Sequence, residues 1–169
     1  MGREIRRVIP NWNHPKNKKG GYLPLLDEDF DSAMEKWLTG YGLWKKGEHP
    51  KYRPDISYWE WEGIPPDPYY CRPKWKAEEM TWYQVYENVT EGTPVTPPFA
   101  TKEELIDYLV KYGDFWDQQD NRGGWKRENA ESFVEEGWRP SGILVINDEG
   151  KKYKEARNIT KDDLKKKED

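Results

Sequence analysis

The chain has 169 residues, 34% hydrophobic, 36% charged and 15% aromatic, so a scarcity of aliphatic side chains is offset by ten Trp and eleven Tyr, each ring able to bury about 150–250 Å². That length suits one domain with a thin, ring-rich core, and no apolar run approaches membrane-spanning length. The formal charge of −4 is polarised: residues 1–19 carry six Lys/Arg against Glu4 and residues 150–169 carry eight against five acids, which leaves −12 for residues 20–149 and argues against broad binding to a nucleic-acid duplex.

In chain order, residues 4–9 (EIRRVI) have strand composition and stop at Pro10. In an extended strand Arg3, Ile5 and Arg7 share one face, and Glu4, Arg6 and Val8 the other. A Pro/Asn/Gly-rich loop follows, pinned by Trp12, Tyr22, Leu23 and Leu25. Asp27 reads as an N-cap to a helix carrying Phe30, Ala33, Met34, Trp37 and Leu38, ended by Gly40 or Gly42. Residues 45–76 hold six prolines, which prohibit a long helix and point to an irregular, aromatic-pinned loop that either covers the core or forms a recognition surface.

Residues 81–89 (TWYQVYENV) alternate as a strand, with Trp82, Gln84 and Tyr86 opposite Tyr83, Val85 and Glu87. A turn with Gly92, Pro94, Pro97 and Pro98 leads to the capping box Thr101-Lys102-Glu103-Glu104, which opens a helix closed by Gly113. Residues 114–128 read as a polar connection with Trp116 and Trp125 packed down, and Asn129 as the cap of a helix over 130–136. Ile143–Ile146 form a strong strand before a turn at 148–150. The expected fold is α+β: a small antiparallel sheet, about three helices and long aromatic-pinned loops, as one domain over 1–154 with a charged tail over 155–169.

Chemistry-bearing patterns are sparse. The single cysteine, Cys71, excludes an internal disulfide and suits a reducing cytosol, and the charged N-terminus lacks a secretory apolar segment. His14, His49 and Cys71 have no zinc spacing, so no metal and no cofactor is expected. Asp114, Asp117 and Asp120 recur every three residues, where they either present carboxylates to a cation or a reacting proton or form a solvated loop. Arg3, Arg6 and Arg7 offer forked donors to an anion or pair with internal carboxylates; with Trp12, Trp59, Trp61, Tyr69 and Tyr70 they would supply charge and stacking. Thr93 lies in the stiff loop ahead of helix 101–112, either an anion-facing turn or scaffold.

Three blocks carry a family likeness. They are Gly2-Arg3-Glu4 with Arg6-Arg7-Val8, Pro10, Trp12, His14-Pro15, Tyr22 and Pro24-Leu25; Tyr83-Gln84, Tyr86-Glu87, Thr90-Glu91-Gly92-Thr93-Pro94, Thr96-Pro97, Phe99 and Glu103-Glu104-Leu105; and Gly137-Trp138 with Pro140-Ser141. In these the chain resembles a family of small accessory proteins of tailed phages and prophages. The resemblance implies a phage or prophage origin and supplies no catalytic residue. Such proteins often act by binding, which points to a non-catalytic factor that meets a host or defence protein through an acidic, Trp/Tyr-rich surface. The alternative is a sponge for a small anionic nucleotide-like ligand.

Overall fold

A computed structural model describes residues 2–148 and 150–165. The fold is α+β, and the chain packs as two compact units, one formed by residues 1–24 and 76–169 and the other by residues 25–75. The expectation from the sequence is one domain over 1–154 with a charged tail over 155–169.

The larger unit is built on an antiparallel sheet of β1 (Gly2–Val8), β2 (Trp82–Glu87), β3 (Thr93–Pro94) and β4 (Trp138–Pro140), in the order β3-β2-β1-β4. The register sets Arg3 opposite Glu87, Ile5 opposite Val85 and Arg7 opposite Tyr83. Alternation then sends Ile5, Tyr83 and Val85 to one face. There they meet the apolar sides of α3 (Lys102–Tyr112) and α5 (Arg127–Glu136), and Leu105, Leu109, Ala130 and Phe133 are fully sequestered. Thr101 and Glu104 form the expected capping box at the start of α3.

Four local expectations are corrected. Residues 115–119 form a short helix, α4, within the supposed polar connection, because Asp114 and Asp117 cap it reciprocally. Trp125 is buried there, but Trp116 remains 40% exposed. Helix α5 starts at Arg127, before Asn129, whose side chain instead donates to the Arg157 carbonyl. The charged stretch after 154 is partly folded: β5 (Gly142–Asn147) and β6 (Gly150–Glu155) form a ribbon followed by a turn and α6 (Lys161–Lys165), and Ala156 and Ile159 are buried. Ala156 and Ile159 stand among charged residues, three positions from Tyr153 and five from Leu164, too few apolar positions to set a period, yet both are enclosed.

The smaller unit centres on α1 (Phe30–Lys46), capped by Asp29, not Asp27. The helix continues through Gly40 and Gly42 to Gly47, whose φ of 72° ends it in a left-handed turn. Packing of Trp37, Tyr41 and Trp44 along one side outweighs the weak helix preference of glycine, and Gly40 serves a close approach, since a Cβ there would stand 2.2 Å from the Tyr58 hydroxyl. Short α2 (Tyr58–Glu62) lies in the Pro-rich loop, held by the Ser57–Glu60 capping box.

Candidate functional site

The expected arginine cluster is divided by strand alternation. Arg3 ion-pairs with Asp114, both nearly enclosed. Arg6 pairs with Glu4 at 2.6 Å and stacks over Tyr86, with its guanidinium carbon 4.4 Å from the ring centre. Arg7 stacks over Tyr83 at the same distance and donates to the Met80 carbonyl and the Tyr83 hydroxyl. Each of the three guanidiniums thus has an internal partner, with Arg7 still exposed. Trp12 is half-buried beside Arg6 and donates its indole N–H to the Tyr86 hydroxyl at 3.1 Å.

His14 completes that side of the sheet. Its Nε2 lies 2.6 Å from the Leu23 carbonyl and its Nδ1 3.0 Å from the Tyr86 hydroxyl. Burial lowers its pKa below the ordinary 6.5, and Arg6 pushes the same way against the opposing Leu23 hydrogen bond. Thr93 is half-buried in β3 with its hydroxyl bonded to that of Thr90, a loop-closing role.

The expected aromatic residues of the smaller unit lie differently. Trp37, Trp44 and Tyr58 form its core. Trp59 packs edge-on against Trp37 with centroids 5.0 Å apart, and Trp61 stacks on Trp44 at 6.1 Å. One part of each outer ring is thus anchored, yet Trp59 and Trp61 remain 47% and 43% exposed. The cause is local: in the short helix α2, Tyr58 turns inward and its indole neighbours flank it. Ile64, at 80%, is more exposed still, and Tyr69 and Tyr70 stand edge-to-face on the surface.

Sequence reasoning missed a cleft of about 480 Å³ in the larger unit. Arg3, Glu87, Asp114, Trp116, Asp117, Asp120, Arg122, Ser141, Tyr153, Glu155 and Arg157 contribute to its wall. Only the three-residue spacing of Asp114, Asp117 and Asp120 hinted at it; Glu87 and Arg157 arrive through pairing and folding of distant segments. Every oxygen of Asp114 and Asp117 accepts at least one hydrogen bond. Asp114 accepts from Arg3 and from the Trp116 and Asp117 amides, and Asp117 accepts from the Asp114 amide, the Trp125 indole at 2.7 Å and Arg157 at 3.2 Å. Burial raises the Asp114 pKa, Arg3 opposes that, and the Asp117 charge adds to it.

Cys71 is buried and its thiol donates to the Asp67 carbonyl. Burial, helped by Asp67, Glu28 and Asp29, pushes its pKa up, which keeps it protonated and a poor nucleophile. Among the described residues no three His, Cys, Asp or Glu side chains gather to hold a metal ion, and no helix is long and apolar enough to cross a membrane. No family description, curated protein or solved structure matches the chain.

Proposed function

We propose that this chain is a non-catalytic accessory protein of a tailed phage or prophage, and that it acts by binding a host or defence protein through the aromatic face of residues 25–75. The observation that carries this reading is the half-exposed pair Trp59 and Trp61, fixed from beneath by Trp37 and Trp44. Rings already held in place lose little freedom when a partner covers them, which is why such residues dominate interface energies. Residues 25–75 carry ten acids against seven bases, a balance that favours encounter with a basic surface.

The test is affinity capture from bacterial lysate by the immobilised protein, with the Trp59→Ala/Trp61→Ala double variant alongside. A discrete protein retained by the parent and lost by the variant is the expected result. Equal retention by both, or nothing retained by the parent at micromolar density, overturns the reading; a circular dichroism spectrum matching the parent's confirms that the variant is folded.

A further inference from the structure

We infer that the cleft of the larger unit is a receptor for an organic monocation, an alkyl-borne guanidinium. The inference stands apart from the aromatic face of residues 25–75 and rests on how charge is distributed in the cleft. Five carboxylates line it against three guanidiniums. Arg3 is committed to Asp114, Arg157 to Asp117, and Arg122 to Asp120 and Glu155. Glu87 is left over.

Glu87 is only 6% exposed. It lies opposite Arg3 in the sheet, but that guanidinium is drawn to Asp114. Its carboxylate accepts the Trp116 indole N–H at Oε2, 2.7 Å away, and among the described residues no Lys or Arg forms an ion pair with it. An enclosed carboxylate without a counter-ion is costly, and the cost is relieved when a cation enters. A second group waits beside it: the Ser141 hydroxyl is enclosed and has no hydrogen-bond partner.

The rest of the lining selects the kind of cation. A metal ion would need several converging oxygen ligands, whereas one unspent carboxylate and a hydroxyl are present with Val89, Trp116, Trp125 and Tyr153. Trp116 and Tyr153 are 40% and 64% exposed and offer ring faces to a flat cation. A guanidinium fits this mixture, because it is planar, weakly hydrated and able to fork onto a carboxylate while its alkyl stem meets apolar wall. An anion would meet two surplus negative charges and no uncommitted guanidinium.

The same chemistry has two sources, a free small guanidine or an arginine side chain presented by a protein, and the test separates them. Agmatine and a blocked tripeptide with central arginine are titrated into the ¹⁵N-labelled protein while the Trp116 indole N–H resonance is followed, with inorganic phosphate and guanosine monophosphate as anionic comparisons. The expected result is a saturable shift of that resonance with agmatine, with the peptide, or with both, weakening as salt is raised. Agmatine shifting alone identifies a free ligand, and the peptide binding more tightly identifies a presented side chain. Glu87→Gln, which keeps an acceptor for Trp116, is expected to weaken binding by about tenfold or more. Should that variant fail to fold, Asp120→Asn at the half-exposed rim serves instead, with a loss of about threefold. No shift with either cation, a shift only with the anions, or unchanged affinity in the folded variants overturns the inference.

Discussion

The two units solve the problem of few aliphatic residues in opposite ways. The larger has a conventional interior, in which Val85, Leu105, Ile106, Leu109, Phe133 and Val134 fill the space between one sheet and two helices. It can therefore enclose polar groups: Arg139 is fully buried, yet donates to the Asn129 and Ile159 carbonyls, the Ser132 hydroxyl and Glu136. The core cluster of the smaller is Trp37, Trp44 and Tyr58, supported by Tyr41 and Ile56, with Leu25, Ala33 and Cys71 as its small or aliphatic buried residues. Ring edges meeting ring faces hold it, and rings that are too large to enclose completely remain in part on the surface. An aliphatic core thus frees a domain to bury charge, whereas an aromatic core obliges it to display apolar area.

The most forceful way to break that contrast is to empty each core in turn. Phe133→Ala should cost about 3–5 kcal/mol, and Trp44→Ala a similar amount within residues 25–75. Hydrogen exchange would show whether the losses stay separate: with Trp44→Ala, amides of α1 should exchange quickly while those of β2 keep their protection. Loss of protection in both units together would mean that the two interiors are energetically one.

Asp114→Asn sharpens the polar side of the comparison. Removing one partner of a buried ion pair leaves Arg3 enclosed without its counter-charge, an expected loss of about 3 kcal/mol in chemical denaturation. The same experiment on the exposed Arg53–Asp55 pair of the smaller unit, by Asp55→Asn, should leave the midpoint nearly unmoved, because water already solvates both ends.

The smallest effect concerns pH. His14 has a folded pKa below its ordinary 6.5, so the unfolded chain binds the proton more readily than the native one. Its neutral form supports the fold fully above about pH 6.5, and stability falls as pH drops through that value toward the folded pKa. Urea midpoints measured between pH 7.5 and 5.5 should decline, and His14→Gln should flatten that decline; an unchanged slope would mean that the imidazole does not report on its burial. Asp163 stays below that window, because the upward push of burial is outweighed by Lys154 and Thr160, whereas Asp114 is raised by burial and is the carboxylate whose contribution the His14→Gln comparison separates.

The sequence by itself determined the α+β class, strand β2, helix α3 with its Thr101 cap, and the face partition of Arg3, Arg6 and Arg7, because alternation and capping are local and need only near neighbours along the chain. It also indicated that rings would substitute for aliphatic side chains. Tertiary structure alone decided that α1 runs past two glycines, since the gain comes from Trp44 and Tyr58 packing across them. It alone decided which rings stay outside, that Glu87 is left without a counter-ion while Arg3 turns to Asp114, and that Ile159 in a charged tail is buried. Each of these is a competition between partners far apart in the chain, and such a competition is settled by distance and enclosure, which no spacing of residues records.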